Sequence, residues 1–284
     1  MKLLHHLVTL ALVLLLFAGV GLIAYPFVSS ELSQRESNAI IRQYTETVEE
    51  IPETETSTML EQAQDYNQSL NGSKILADPF SDENSGNAEA YESVLNVDDG
   101  LMGYIEIPKI DVYLPIYHGT TKDVLNKGIG HLYGTSLPVG GSSTHAVLAG
   151  HTGISGKVLF DGLTRMEEGD PFAIHVLGET LTYQVDQIEV IEPKDTSSLQ
   201  VVKGKDYVTL MTCTPYAVNS HRLLVRGERV TEPSVFIEAS GSAEVIEAEA
   251  ARLWPVKQAV VLSVLMILFV VWRVLVHRKG NRWK

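Results

Sequence analysis

Apolar and polar positions divide the chain into an apolar first segment, a polar segment with helical spacing, and a long stretch of short β-type runs. Residues 7–28 are uncharged and apolar. At about 1.5 Å per helical residue, this run is long enough to cross a hydrocarbon core of about 30 Å. It is longer than the core of a usual signal peptide and lacks a small-x-small cleavage site at residues 22–26, so we predict a retained membrane span. Residues 30–70 carry apolar side chains near helical spacing and predict one or two amphipathic helices.

After Gly103 the pattern changes to short apolar and β-branched runs separated by turn residues. Seven runs are visible, at residues 104–107, 111–116, 145–150, 172–177, 180–191, 207–213 and 222–230. Strands at this spacing predict a mainly β fold that closes, or nearly closes, into a barrel. About 130 residues are enough for one hydrophobic core. Between the helical segment and the barrel, residues 78–87 have the composition of an exposed loop.

A second apolar stretch, at residues 259–272, lies between Lys257 and Arg273. Because long basic side chains can reach the membrane surface from the edge of a span, this stretch predicts a second transmembrane helix over residues 255–276. A helix that lies on the membrane or is buried is the alternative. Lys2 precedes the first span and a basic cluster follows the second, so the positive-inside rule predicts that both termini are cytoplasmic and that the middle of the chain is outside the cell.

Charge argues against nucleic acid as a partner. All 35 acidic residues, but only 15 of the 22 basic ones, lie between Ser29 and Val256. A surface so acidic repels a phosphate backbone. The chain has one cysteine, which excludes an intramolecular disulfide.

That cysteine, Cys213, ends a β-type run and is followed by a loop, after which Arg222 opens the next run. We therefore expect the thiol and the guanidinium at neighbouring strand ends. Upstream, His151 follows a short buried run and Gly150. A cysteine, a histidine and an arginine on separate strand ends can act as nucleophile, acid/base and oxyanion stabiliser. The alternatives are a packed core thiol and a surface charge.

Five segments together resemble the signature motifs of sortases, most closely those of the pilin-polymerising class C. They are TLMTCTPY (209–216), NSHRLLVRG (219–227), AGHTG (149–153), GHLYGTSLP (130–138) and GYIEIPKI (103–110). The resemblance implies an eight-stranded sortase-type β-barrel with short connecting helices, in which Cys213, His151 and Arg222 are catalytic and Thr212 is a supporting residue. It also implies that Asp78, Pro79 and Phe80 form a lid over the active site.

Two positions depart from the family pattern. Ala217 stands where the resemblance predicts glycine, and Tyr133 stands where it predicts an acidic residue. Neither position coincides with the matched cysteine, histidine or arginine. The departures therefore concern loop conformation and substrate detail more than the chemistry.

A class C resemblance implies a cysteine transpeptidase that cuts Leu-Pro-x-Thr-Gly-type sorting signals through a thioacyl intermediate. It then joins the pilin subunit by an isopeptide bond to a lysine amine of the next pilin. The implied partners are pilin subunits and the membrane. No cofactor and no metal are expected, because the chain has neither a His-x-x-x-His pair nor a cysteine cluster. Scattered carboxylates leave a calcium site open.

The resulting division of the chain has six parts: a cytoplasmic N-terminus and first transmembrane helix (1–28), a helical region with a lid loop at about 76–87 (29–100), the catalytic barrel (101–232), an acidic tether (233–254), a second transmembrane helix (255–276) and a basic cytoplasmic tail (277–284).

Three other functions stay open at this point. A housekeeping sortase would use the same residues to anchor surface proteins to peptidoglycan. The segment HGT at residues 118–120 resembles part of an L,D-transpeptidase signature, although the chain lacks the turn that precedes the cysteine there. A catalytically inactive, membrane-tethered binding domain is the third. Four further histidines compete with His151 for the acid/base role, namely His118, His131, His145 and His221.

Overall fold

Two long helices and a closed β-barrel make up most of the computed structural model, which describes residues 2–70, 78, 80, 89–154 and 156–231. The helices are α1 (Lys2–Glu50), α2 (Glu53–Ser69), α3 (Glu89–Ser93) and α4 (Lys122–Lys127). Pro52 separates α1 from α2 and precedes the first residue of α2, where its fixed φ and missing N–H are tolerated. The polar segment is therefore two helices, and the first of them is continuous with the apolar segment.

Eight strands form the barrel: β1 (Leu101–Ile107), β2 (Val112–His118), β3 (Ile129–His131), β4 (Thr144–Ala149), β5 (Pro171–Val176), β6 (Glu179–Ile191), β7 (Asp206–Thr214) and β8 (His221–Arg229). Short 3₁₀ turns lie at Pro108–Ile110, Leu163–Arg165 and Ser197–Leu199. The eight-stranded barrel with short connecting helices is confirmed. Seven strands match the predicted runs within a few residues. The pattern analysis missed β3, whose three residues are too few to show an alternation.

The strand order around the barrel is β1-β2-β3-β4-β7-β8-β6-β5, and β5 closes on β1. Two pairs are parallel, β2 with β3 and β4 with β7, and the others are antiparallel. Closure leaves no unpaired sheet edge. The two parallel pairs matter for function, because a parallel pair aligns the same ends of two strands that are far apart in sequence.

Side chains on β4, β7 and β8 alternate between two apolar clusters. Leu148, Leu210 and Val225 point into the barrel core. The residues next to them pack on the outside of the barrel in a smaller cluster, which we call the outer cluster. Its members are Leu132, Val147, Ile191, Leu199, Met211 and Leu224. The period of two along a strand produces this division.

Helix α1 runs along the barrel wall. Ile41, Tyr44 and Val48 are buried. The hydroxyl of Tyr44 donates to the carbonyl oxygen of Met102 (3.0 Å) and accepts from the N–H of Leu177 (2.9 Å). Since a buried hydroxyl without partners is costly, these two bonds fix where the helix lies on the barrel.

The N-terminal part of α1 is the one helix in the described part of the chain that is long and apolar enough to cross a membrane. It contains Pro26, at the end of the apolar run. The predicted tether (233–254), second span (255–276) and tail (277–284) lie outside the described residues, as does most of the predicted lid loop.

Candidate active site

Three neighbouring strands bring Cys213, His151 and Arg222 into one row on the outer face of the barrel. Cys213 pairs directly with Arg222 across β7 and β8, as the sequence predicted. On the other side, Ala149 of β4 pairs with Met211 of β7, and the N–H of Gly150 donates to the carbonyl oxygen of Met211 (3.0 Å). Strand β4 ends at Ala149, so His151 lies in the loop directly after it, at the same end of the barrel as Cys213. Adjacent strands lie about 4.8 Å apart, so Cys213 and Arg222 are near neighbours, and His151 lies at the adjoining strand end.

Thr212 fixes the start of the loop that carries His151. Its side chain is 1% exposed, and its hydroxyl donates to the carbonyl oxygen of Gly150 (2.7 Å). A Cβ atom on Gly150 would lie 2.7 Å from side-chain atoms of both Ile129 and Phe160, so only glycine fits there. Thr212 is therefore a positioning residue: it orients the backbone immediately before His151 and does not face the row itself.

The guanidinium of Arg222 is held on every side by oxygen acceptors. One nitrogen, Nη1, donates to the carbonyl oxygens of Asn219 (3.1 Å) and His221 (3.0 Å). Nε and Nη2 donate to the two carboxylate oxygens of Asp78, at 2.9 and 2.5 Å. Such a bidentate pair fixes both the plane and the position of the guanidinium. The whole residue is only 7% exposed.

Phe80 lies over the same row. Its ring centroid is 5.5 Å from that of His151, and the Arg222 guanidinium carbon lies 5.1 Å from the ring centroid. The ring also packs against the outer cluster, while the N–H of Phe80 bonds to the Asp78 carboxylate (3.3 Å). Asp78 and Phe80 thus cover the site as one unit. Pro79 lies outside the described residues.

With this cover in place, the surroundings of the thiol and the imidazole favour the neutral form of each group. Burial raises the pKa of Cys213; Arg222 opposes that shift, and Asp78 adds to it. Burial lowers the pKa of His151. A raised thiol pKa and a lowered imidazole pKa both disfavour the thiolate–imidazolium ion pair near neutral pH. The covered arrangement therefore favours the thiol, which is a weaker nucleophile than the thiolate.

The loop between Cys213 and Arg222 explains the departure at Ala217. Ala217 has φ 63°, and Asn219 has φ 58°. Left-handed backbone is accessible to glycine and tolerated by asparagine, but it costs other residues about 1–2 kcal/mol. Ala217 thus adopts the conformation that the expected glycine would take without strain. The same turn directs the Asn219 carbonyl towards Arg222.

The structure gives three of the four competing histidines roles within the barrel. His118 contacts the carbonyl oxygens of Gly100 and Val94. His131 is fully buried against Tyr91, and His145 bridges the Thr209 hydroxyl and a carbonyl oxygen of the β6–β7 loop. Burial lowers the pKa of His131 to about 3 and that of His145 to about 4. The fourth, His221, is exposed and contacts Ser220.

Sequence reasoning missed the outer cluster beneath Phe80. Met211 and Leu224 stand two residues from Cys213 and Arg222 on their strands, so the alternation already placed them on the same face. Leu199 comes from the β6–β7 loop and had no such signal.

At the other departure from the family pattern, Tyr133 packs edge-on against Tyr91, with ring centroids 5.1 Å apart. Within the described ranges, no group of three or more metal-ligating side chains is close enough to hold an ion.

Comparison with known proteins assigns a family to this arrangement. A family model described as "Sortase domain" matches residues 105–230. Sortase D of Bacillus subtilis (strain 168) is 31% identical over 132 residues, which are 45% of this chain and 64% of that protein. The chain thus matches slightly less than two thirds of the length of this curated relative.

Two solved structures resemble the chain over almost their whole length. Sortase C of Streptococcus pneumoniae matches with a TM-score of 0.65 and 43% identity, covering 68% of this chain and 97% of that one. Sortase C-1 of Actinomyces oris matches with a TM-score of 0.60 and 49% identity, covering 62% of this chain and 99% of that one.

Proposed function

Because this chain belongs to the sortase family, we propose that its barrel is a class C cysteine transpeptidase. In this proposal it cleaves Leu-Pro-x-Thr-Gly-type sorting signals and joins pilin subunits through isopeptide bonds. The observation that carries the proposal is the row formed by Cys213 and Arg222 on paired strands and by His151 in the loop directly after the neighbouring strand β4. It supplies an acid/base, a nucleophile and a hydrogen-bond donor at one place.

In the first half-reaction, the Cys213 sulfur attacks the carbonyl carbon of the signal's threonine as the thiolate. Arg222 donates hydrogen bonds to the carbonyl oxygen as it gains negative charge. When the tetrahedral intermediate collapses, the C–N bond to glycine breaks, and His151 as imidazolium gives its proton to the departing amine. The product is a thioester on Cys213 and a neutral imidazole on His151.

The second half-reaction reverses these roles. A lysine amine of the next pilin attacks the thioester carbonyl, and His151 accepts the proton that the amine loses. The C–S bond breaks, the thiolate leaves, and an amide to the lysine side chain remains. The imidazolium and thiolate are then ready for another cycle, so neither a metal nor a cofactor is needed to balance the reaction.

Two observations favour class C over a housekeeping sortase. The solved sortase C structures match over 97% and 99% of their own length, and the work on the S. pneumoniae enzyme concerns pilin substrate specificity. Within this chain, Asp78 and Phe80 cover the site from a segment outside the barrel. A cover of this kind suits an enzyme that acts only when its protein substrate displaces it.

We also propose that the apolar part of α1 anchors the enzyme in the cell membrane, with the barrel on the outer side. In that arrangement, the predicted second span at residues 255–276 returns the chain to the cytoplasm. Both termini are then inside, and the barrel is tethered at both of its ends. The composition and length of the first span support the anchor, and the position of the basic residues in the sequence is the argument for cytoplasmic termini.

Acceptor choice tests the pilin-joining proposal directly. The purified full chain is incubated with a Leu-Pro-x-Thr-Gly peptide and, in parallel, with a pilin-derived lysine peptide or with triglycine, which mimics a peptidoglycan cross-bridge. We expect a thioester adduct on Cys213 and an isopeptide product with the lysine peptide, both identified by mass spectrometry. Transfer to triglycine alone would favour the housekeeping alternative, and an unmodified Cys213 would favour the inactive binding domain.

Removing the cover is predicted to activate the thiol. Asp78→Ala removes a half-buried charged hydrogen-bonding group worth about 1.5–3 kcal/mol, so modification of Cys213 by a methanethiosulfonate reagent should accelerate roughly 10- to 100-fold. Because Asp78 contributes to the raised thiol pKa, its loss lowers that pKa. The pH at which the reaction reaches half its maximal rate should therefore move down. Phe80→Ala should act in the same direction by admitting water.

A second bidentate ion pair provides the matched control. Arg226, also on β8, donates to both carboxylate oxygens of Asp186 at 3.0 and 2.6 Å, away from the row. Asp186→Ala should leave the reactivity of Cys213 unchanged. If Asp78→Ala behaved like Asp186→Ala at every pH, the covering segment would have no regulatory role.

A further inference from the structure

We infer that the rim of the active site contacts the outer headgroup layer of the membrane that α1 crosses. The rim consists of two loops: residues 151–154 and 156–158 after β4, and residues 215–219 between β7 and β8. This inference rests on the proposed membrane span of α1. The evidence for it is a set of contacts between α1 and the barrel, which are independent of the active-site chemistry. These contacts fix the height of each end of the barrel above the membrane.

The first of these contacts lies where the helix leaves the lipid. The apolar run ends at Val28, and the headgroup layer beyond the hydrocarbon core is about 5–7 Å thick, or about four helical residues. Ser29 therefore lies inside that layer. Its hydroxyl donates to the carbonyl oxygen of Gly156 (3.1 Å). A Cβ atom on Gly156 would lie 2.2 Å from the Ser29 hydroxyl oxygen, so the loop backbone lies directly against the helix at this height.

Contacts further along α1 orient the rest of the barrel. The Gln34 side chain bonds to the carbonyl oxygen of Tyr113 (3.3 Å), and Tyr44 bonds to Leu177 at the turn between β5 and β6. Tyr44 lies fifteen residues beyond Ser29, or about 22 Å along the helix at 1.5 Å per residue. The β4–β5 loop is therefore the membrane-proximal end of the barrel, and the β5–β6 turn is the distal end.

The proximal end carries exposed apolar side chains on both loops of the rim. Val158 is 50% exposed, and Tyr216 and Val218 are each 68% exposed. The two loops touch, because a Cβ atom on Gly153 would lie 2.8 Å from the Tyr216 ring. Outside α1, only four large apolar side chains of the described residues are at least 50% exposed, and three of them are these. Tyrosine with neighbouring aliphatic side chains is typical of a surface that sits among lipid headgroups.

Apolar contact, rather than charge, would hold this rim at the membrane. The segment between Ser29 and Val256 is strongly acidic, so anionic lipids repel it as a whole. The helix overcomes that repulsion because it fixes the height of the barrel covalently. A substrate must then present its cleavage site at the same height, which favours polypeptides that are themselves held at the membrane.

Lipid quenching in the full chain tests the inference. In a Cys213→Ala background, a single cysteine is introduced by Val158→Cys or Val218→Cys and labelled with an environment-sensitive fluorophore. Glu179→Cys, exposed beside the distal turn, is the matched control, and Leu15→Cys reports on the span. Each variant is reconstituted into vesicles of phosphatidylcholine and phosphatidylglycerol that contain lipids spin-labelled either on the headgroup or on the acyl chain.

We expect the headgroup spin label to quench the fluorophores at positions 158 and 218 several-fold more strongly than the one at position 179. We also expect the acyl-chain spin label to quench the fluorophore at position 15. If position 15 is quenched but positions 158 and 218 match position 179, α1 is an anchor and the inference about the rim is wrong. If position 15 is not quenched by the acyl-chain label, both the anchor and the inference fail.

Discussion

Replacing Cys213 with alanine should abolish both the thioester adduct and the isopeptide product, while the barrel stays folded. The sulfur is the atom proposed to form the covalent intermediate. The sequence contains one cysteine, so no other thiol can replace it. The cost to stability should be small, since the side chain is only partly buried and lies at the end of β7, outside the barrel core. We expect circular dichroism and the thermal midpoint to remain close to those of the unchanged protein.

Cys213→Ser sharpens this prediction. Serine keeps the size and the hydrogen-bonding capacity of the site, but a hydroxyl is far less ionised than a thiol at neutral pH. If the cysteine contributed only packing or polarity, serine would preserve activity. We expect Cys213→Ser to be as inactive as Cys213→Ala in the mass-spectrometric assay. Isopeptide product in either variant would rule out Cys213 as the nucleophile.

Arg222→Lys should lower the rate of thioester formation by roughly 10²–10³-fold, the usual effect of losing one oxyanion donor. Lysine keeps the positive charge but cannot present a planar fork of donors. The same substitution weakens the bidentate contact with Asp78. Modification of Cys213 by a small thiol reagent should therefore become faster while peptide cleavage becomes slower. Unfolding would also expose the thiol and abolish cleavage, so an unchanged thermal midpoint must accompany these opposite changes.

Arg226→Lys is the control for this prediction. Arg226 lies on the same strand and makes the same kind of bidentate contact, with Asp186, but it is not in the row with Cys213. Rapid-quench measurement of a single turnover separates thioester formation from its transfer to the acceptor. Equal rates of thioester formation in Arg222→Lys and Arg226→Lys would show that Arg222 does not act on the reacting carbonyl.

The sequence alone predicted those parts of the site that lie close together along the chain better than those that lie far apart along it. Cys213 and Arg222 belong to one antiparallel pair joined by a short loop, so two strand-like runs and a turn were enough to place them together. His151 reaches Cys213 through the parallel pairing of β4 with β7. The residue pattern offered His151 as a candidate acid/base at a strand end, but no local pattern identifies the partner of a parallel strand, so its place beside Cys213 could not be predicted from the pattern.

The covering segment marks the limit of pattern reasoning. The composition of residues 78–87 predicts an exposed loop, yet Asp78 bonds to Arg222, which lies 144 residues away in the sequence. An ion pair of this kind depends on the whole fold, which brings the segment back to the barrel. The hydrophobic pattern also predicted the apolar segment and the polar helical segment as separate elements. In the structure, α1 is one helix that includes the apolar segment and the first part of the polar one. Proline favours a break, but Pro26 lies within the continuous helix.

The parallel pair of β4 and β7 has a consequence for the order in which this chain folds. Cys213 and Arg222 are brought together by a local hairpin, whereas Thr212 and Gly150 are 62 residues apart. Closing a longer loop costs more conformational entropy, and contacts of high sequence separation form slowly. The hairpin can therefore form before His151 arrives. A nascent or partly folded chain would carry an ordinary thiol with no acid/base partner, and catalytic competence would appear only when the barrel closes.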